Sequence, residues 1–136
     1  MKANWDKAIS FALDWEGEYS WDKDDPGGET KWGVSKRAYP ELIIKELTKE
    51  ECMAIHKKDR WDAMKCDDLP DKLDVCVFDC ALNMGIGRAE AILNLTQDWR
   101  DYLMYRVLRY NDLGKAKPMF LRGWLNRAVS LWKILK

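Results

Sequence analysis

One irregular stretch, Glu16 to Ser35, concentrates carboxyl groups, glycines and two tryptophans. Upstream of it Trp5, Ala8, Ile9, Ala12 and Leu13 recur at helical spacing, which predicts an amphipathic helix over residues 5–15. Glu16 falls one turn beyond Ala12 and Leu13 and shares their buried face. Gly17 ends the helix by taking a backbone conformation that costs other residues more. A carboxyl near apolar walls keeps its proton more readily than a solvated one. Asp25, by contrast, sits in the polar turn Asp25-Pro26-Gly27-Gly28. Two carboxyls in such different surroundings are what glycoside hydrolysis asks for, one giving a proton and one holding a water or facing an oxocarbenium ion. Thr30 offers a hydroxyl that can orient the same water.

Each of these residues also has an ordinary reading. Glu16 can be a solvated carboxylate, although a negative charge at a helix C-terminus opposes the helix dipole. Asp25 can simply cap its own turn, and Asp22 and Asp24 are nearby alternatives for its role. Thr30 can be only a strand residue. Two further constellations stand outside the stretch. Cys52-x-x-x-His56 and Cys76-x-x-x-Cys80 each place two potential metal ligands one helical turn apart, as a Cys₃His zinc site needs. The positions also fall on core-facing stripes, and cysteine is among the most buried residue types, so core thiols are the expected reading. Asp79 lies in the most apolar segment of the chain, where a carboxylate must be hydrogen-bonded to be tolerated. A structural tie around the Glu16 segment is the expected role.

The elements that position these groups follow from periodicity and turn chemistry. Residues Tyr19–Trp21 and Thr30–Val34 can pair as a small hairpin across the Pro26-Gly27-Gly28 turn. Ser35 is placed to cap a short helix that Pro40 ends. Thr48 with Glu51 forms a capping box, Leu47 stapling onto Cys52, for a helix running to about Trp61. Asp68-Leu69-Pro70 breaks the chain before a helix over 71–84. That helix is apolar on nearly all sides and therefore central. Helices over 89–95, 99–110 and 118–135 complete the chain, with loops at 96–98 and 111–117. The expected fold is mainly helical (α+β), with a central buried helix and a small β-hairpin in the N-terminal third.

At 136 residues the chain suits one domain with a real core. Its 23 basic and 23 acidic side chains balance, but unevenly along the sequence. Residues 1–35 hold four basic and eight acidic side chains, and residues 101–136 hold eight basic and two acidic. An acidic lip and a basic tail can face an anionic polymer, cell wall or nucleic acid. The tail's charges can equally be a solvated helix face. Eight tryptophans are unusual: several must pack in the core, any left in a groove are platforms for sugar rings, and each one can equally be core. No apolar run reaches the roughly 20 residues needed to span a bilayer. The N-terminus lacks the apolar core of a secretory leader, and reduced cysteines fit cytoplasmic synthesis.

The motif Glu16-Gly17-x-Tyr19, Asp22, Asp25-Pro26-Gly27-Gly28-x-Thr30, Gly33 resembles the opening motif of glycoside hydrolase family 108. The resemblance continues through Leu47-Thr48-x-Glu50-Glu51, Arg60-Trp61, Phe78-Asp79-Cys80-Ala81-x-Asn83-x-Gly85 and Gly123-Trp124-x-Asn126-Arg127. It covers nearly the whole chain. The family comprises lysozyme-like N-acetylmuramidases, frequent among phage endolysins. The resemblance implies one lysozyme-like domain over 1–136, with a muramidase half at 1–85 and a helical part at 86–136. It implies cleavage of the β-1,4 bond between N-acetylmuramic acid and N-acetylglucosamine in peptidoglycan. Glu16, Asp25 and Thr30 would be catalytic, and Tyr19, Asp22, Trp32 and Asn83 would bind substrate, with no cofactor or metal.

The expected partner is cell-wall peptidoglycan, met by a monomer without nucleic acid or stable membrane insertion, after holin-type or other release from the cytoplasm. A lytic transglycosylase, working with one glutamate, and a non-catalytic wall-binding or regulatory protein are the alternatives. Two departures from the family pattern stand out. His56 occupies a place where the family tends to carry tyrosine, and Leu93–Gln97 leads straight into the last helices. The peptidoglycan-binding segment usual in the family is therefore shortened here.

Overall fold

The computed structural model describes residues 2–22 and 28–136. Asp25, with its neighbours 23–27, lies outside the described residues. A 3₁₀ turn at Lys2–Asn4 leads into α1, Trp5–Glu16, whose buried residues Ala8, Ile9, Ala12 and Leu13 are the predicted stripe. Short strands β1 (Tyr19–Ser20), β2 (Thr30–Lys31) and β3 (Val34–Ser35) form an antiparallel sheet in the order β1-β2-β3. Tyr19 pairs with Lys31 and Ser20 with Thr30, as the predicted hairpin requires. The third strand was not anticipated. It arises because Trp32-Gly33 turns sharply, with φ of 47° and 82°, and returns Lys31 against Val34.

Ser35 caps a turn and not a helix: its Oγ accepts from the Ala38 N–H at 3.1 Å, and no helix follows before Pro40. The capping box is present in full. Glu51 N–H donates to Thr48 Oγ1 at 3.1 Å, and Thr48 N–H donates to Glu51 Oε2 at 3.0 Å. It opens α2, Lys49–His56, which widens into a π-helical turn at Lys57–Asp62. After a 3₁₀ turn at Cys66–Asp68 come α3 (Leu73–Met84), α4 (Ile86–Leu93), α5 (Trp99–Ala116) and α6 (Pro118–Leu135). The loop expected at 111–117 is absent. α5 runs on to Ala116, and Pro118 at the first turn of α6 supplies the break.

Helix α3 is central, as predicted, with every residue from Leu73 to Ala81 buried, and it packs against α1, α4 and α5. Trp5 of α1, Trp61 of the π turn and Phe78 of α3 meet edge-to-face with ring centroids 5.3–5.7 Å apart. Such pairs are worth about 0.5–1.5 kcal/mol each beyond their buried area. Trp61 Nε1 donates to Asp67 Oδ1 at 2.8 Å, so the ring is pinned at both ends. A second, smaller core of Val34, Ile44, Leu47 and Cys52 seats the sheet on α2. Trp32 packs against both cores and joins them.

All four cysteines are buried free thiols, Cys52 in the smaller core and Cys66, Cys76 and Cys80 in the larger. Burial pushes the Cys66 thiol up to about 12 and also raises the others. No group of three metal-ligating side chains is found among the described residues. None of the helices among them is long and apolar enough to cross a membrane.

The capping box gives the first prediction. Thr48→Ala removes one side-chain acceptor from an exposed helix start and should lower unfolding free energy by about 1 kcal/mol. Urea denaturation followed by far-ultraviolet circular dichroism measures this. A loss well above about 2 kcal/mol would mean that Thr48 also fixes the β3–α2 connection.

Candidate active site

Glu16 is the last residue of α1, and three separate pieces of the chain converge on it. Gly17 adopts φ 76°, ψ 165°, a region almost closed to other residues, and its N–H returns to the Leu13 carbonyl at 3.1 Å. The turn sends the chain back beneath the helix end. Trp32 N–H then donates to the Gly17 and Glu18 carbonyls at 3.2 and 3.0 Å, fastening the sheet there. Gly33 comes closest of all. A Cβ built on it would lie 3.1 Å from Glu16 Cγ and 3.1 Å from His56 Nε2, and its φ of 82° is a second reason for glycine.

The polar partner of Glu16 comes from the far end of the sequence. Arg127 of α6 places Nη1 2.9 Å from Glu16 Oε1, and among the described residues Glu16 Oε2 makes no hydrogen bond. The Glu16 side chain is 24% exposed and that of Arg127 6%. Arg127 in turn grips Asp79, with Nη2 at 2.8 Å and Nε at 3.2 Å from Oδ1. Arg106 of α5 flanks the same carboxylate, with Nη1 3.0 Å from Oδ2 in an ion pair that misses hydrogen-bond alignment. Arg106 Nη2 donates to Tyr110 Oη at 2.7 Å, and Tyr110 donates to Asn83 Oδ1 at 2.5 Å. One continuous polar chain thus runs Glu16–Arg127–Asp79–Arg106–Tyr110–Asn83. Counted as ionised, its two arginines and two carboxylates sum to zero.

Burial pulls against the charges of Asp79, Arg106 and Arg127, and pairing wins. For Asp79 the largest influence is desolvation, which raises its pKa. The Arg127 and Arg106 guanidinium groups outweigh it and hold the carboxyl below the usual aspartate value. Arg127 and Arg106 are shifted upward by Asp79 in spite of their own burial. Asp79 therefore does tie structure around the Glu16 segment, but through guanidinium groups and not the backbone groups that its surroundings suggested.

His56, the only histidine, is 2% exposed, and its Nε2 lies 2.7 Å from the Trp32 carbonyl. Desolvation is the main cause of its lowered pKa. It serves as a strut beneath Trp32-Gly33, pressing that turn toward Glu16.

The other expected site residues scatter in character. Thr30 lies in β2, and its hydroxyl makes only a long 3.5 Å contact with the Ser20 carbonyl across the hairpin. Tyr19 is 40% exposed on β1 and donates to the Glu29 carboxylate. Asp22 is exposed at the edge of the described chain. Trp32 is half-buried, with Lys49 Nζ 4.9 Å from its ring centroid. Asn83 belongs to the far end of the polar chain. Glu16, Gly33, Trp32 and Asn83 are thus linked by contacts or through the polar chain, whereas among the described residues the Thr30 hydroxyl makes no hydrogen bond to any of them.

Sequence reading assigned no role to Arg127, Arg106 or Tyr110. A signal existed. Trp124, Arg127, Ala128, Leu131 and Leu135 share one stripe of α6, and Tyr102, Leu103, Arg106 and Tyr110 share one of α5. A cation on an apolar stripe calls for a buried anion, and Asp79, in the most apolar helix, was a candidate.

Asp79→Asn leaves two buried guanidinium groups facing a neutral amide and should cost about 3–5 kcal/mol of stability. The sign with pH follows from its depressed pKa. The carboxylate's contribution is complete above the unfolded aspartate value of about 3.9 and is lost as pH falls through the lower folded value. The stability gap between the parent and Asp79→Asn should therefore be constant above about pH 5 and shrink in stronger acid. Urea midpoints across pH test it, and a gap that widens in acid would contradict the assignment.

Comparison with known proteins bears on what this arrangement is. A solved structure titled "Structure of Brucella abortus SagA" superposes with a TM-score of 0.82 over 96% of this chain and 92% of its own, at 24% identity. It shares the fold. No curated protein matches the chain by sequence. The model of the family described as Glycosyl hydrolase 108 matches residues 9–85, which contain Glu16, Gly33, His56, Asp79 and Asn83. With more than half its length matched, the chain belongs to the glycosyl hydrolase 108 family.

Proposed function

We propose that the protein is an N-acetylmuramidase. It hydrolyses the β-1,4 bond between N-acetylmuramic acid and N-acetylglucosamine in cell-wall peptidoglycan, with Glu16 as the general acid. The observation that carries this reading is the way Glu16 is held. A carboxyl at a helix end is wedged against a glycine turn, with Arg127 fixing Oε1 and Oε2 without a bond among the described residues. A proton on Oε2 is compatible with the guanidinium bond on Oε1, and an acid so oriented gives its proton to the leaving glycosidic oxygen. Membership of a glycoside hydrolase family supports the same chemistry.

Charge then develops on the sugar as an oxocarbenium-like transition state. Asp25 is proposed to stabilise it or to hold the attacking water with Thr30. Carboxyls roughly 6.5–9.5 Å apart leave room for that water and imply inversion, and this is the spacing proposed for Glu16 and Asp25. Tyr19, Asp22, Trp32 and Asn83 are proposed contacts for the glycan. The whole chain acts as one domain, its last helices completing the catalytic site. It works as a monomer on the wall, in the manner of an endolysin, after release from the cytoplasm.

One observation favours a second assignment of roles. Arg127 Nη1 at 2.9 Å from Oε1 also fits a Glu16 that serves as a base toward water or faces the oxocarbenium ion. The pH profile of kcat separates the two, since an acid must hold its proton and loses activity as pH rises, whereas a base loses activity as pH falls.

Glu16→Gln keeps shape and hydrogen bonding but not the proton, so lysis of purified walls should drop roughly 10²–10⁴-fold with the fold intact. Near-normal turnover would sink the assignment. Mass spectrometry of the digest identifies the chemistry: reducing ends mean hydrolysis, anhydro-ends a lytic transglycosylase, and uncut strands a binding or regulatory protein. Asp25→Asn should remove most activity without trapping a covalent intermediate, and wild-type rates would move the water-holding role to Asp22. Arg127→Gln should lower kcat more than it raises KM, because Arg127 bonds Glu16 directly and reaches Asn83 only through Asp79, Arg106 and Tyr110.

A further inference from the structure

The polar chain that begins at Glu16 ends at the wall of a cavity. Tyr110 and Asn83 face a pocket of about 320 Å³ between α3, α4, α5 and α6, which also receives Arg88, Arg109 and Trp124. Neither arginine has a hydrogen-bond or ion-pair partner among the described residues, and no carboxylate lines the cavity. Both are only partly exposed, so their charge is not simply dissolved in water. Trp124 forms an aromatic floor, stacked on Tyr110 at 5.6 Å and flanked by Phe120 at 5.8 Å. Asn83 and Trp124 connect this pocket to the catalytic groups along their own helices. Asn83 lies one turn beyond Asp79 on α3, and Trp124 one turn before Arg127 on α6, a step of roughly 5–6 Å in each case.

We infer that this pocket is an anion subsite that takes a carboxylate borne by the glycan strand while its sugar ring or side group rests on the Trp124 floor. The inference rests on peptidoglycan being the substrate. Guanidinium groups match carboxylates through paired N–H donors, and a half-buried site strengthens those bonds. A cavity with two unmatched arginines and no acid therefore selects an acidic strand over a neutral one. Two carboxylates on such a strand qualify, the lactyl ether of muramic acid and the acidic residues of its stem peptide. Occupancy also loads Tyr110 and Asn83, whose bonds lead through Arg106 and Asp79 to the arginine holding Glu16.

Binding to Glu16→Gln protein, followed by calorimetry, reads the subsite without turnover. Three probes serve: a muropeptide with its stem, the same disaccharide stripped of peptide, and a neutral N-acetylglucosamine oligomer of equal length. Arg88→Gln and Arg109→Gln should each weaken the acidic probes roughly tenfold and leave the neutral oligomer unchanged. Arg109→Lys, which keeps charge without the fork, should fall between. Arg122→Gln, an exposed charge elsewhere on α6, should change nothing.

If the stripped disaccharide binds as well as the muropeptide, the lactyl group is the ligand. If only the muropeptide binds, the stem is. The inference is overturned if neither acidic probe binds, if the arginine variants bind all three like the parent, or if the neutral oligomer loses as much as the acids. It is overturned too if a short single-stranded oligonucleotide binds more tightly with the same arginine dependence, which would make the pocket a phosphate site. The unmutated protein separates this from the proposed activity. Wall lysis with an unaltered KM in folded arginine variants removes the subsite and leaves the activity. Arginine-dependent binding in a protein that cuts no walls does the reverse.

Discussion

A carboxylate with no exposed surface, Asp79, sits between two guanidinium groups at the centre of the molecule, and the rest of the structure is arranged to make that tolerable. Removing a carboxylate or a guanidinium from water costs several kcal/mol per ion, even after the protein relaxes. The cost is offset only if the partners are close, well oriented and themselves satisfied. Here this requires α3, α5 and α6 to meet at one point, because each contributes one of the three charges. The fourth member, Glu16, draws the end of α1 to the same place. A helical protein of this size could be packed on apolar contacts alone in many slightly different ways. The ionic chain admits few of them, since a shift of one helical turn at any member leaves a buried charge alone.

Apolar packing and polar geometry divide the work. The edge-to-face cluster of Trp5, Trp61 and Phe78 sets α1 against α3, and the capping box begins α2 at the residue that brings His56 under the Trp32-Gly33 turn. These contacts fix the elements to within the looseness of a hydrophobic core. The last step of placement, which sets the orientation of one carboxyl group, falls to directional bonds from Arg127 and to the close approach of Gly33. A catalytic group needs to be held within about half an ångström, and packing alone does not deliver that.

What the sequence disclosed follows the same division. Helix existence, the hairpin, the capping box and the central position of α3 were legible because each depends on local periodicity or local turn chemistry. The third strand was not, since it depends on Trp32 accepting a φ of 47°, which no propensity favours. The continuation of α5 through Asn111 and Gly114 was obscured by two residues that usually mark loops. The position of Glu16 at the end of α1 was legible from its place at the end of an apolar stripe. Arg127 was quoted within a motif yet carried no role, because a pair separated by 111 residues leaves no trace in spacing. Only an imbalance betrayed it: an anion in an apolar helix with cations on apolar stripes elsewhere.

That separation of 111 residues has a consequence in time. A chain emerging from the ribosome exposes Glu16 and its motif early, while Arg127 is still to be translated. Until α6 has emerged and docked, Asp79 and Glu16 lack the cation they share, and Glu16 Oε1 has no guanidinium to orient it. The orientation of the Glu16 carboxyl is therefore completed only after a segment 111 residues downstream has been made. A polypeptide that stops short of α6 carries the Glu16 motif and lacks the guanidinium that orients its carboxyl.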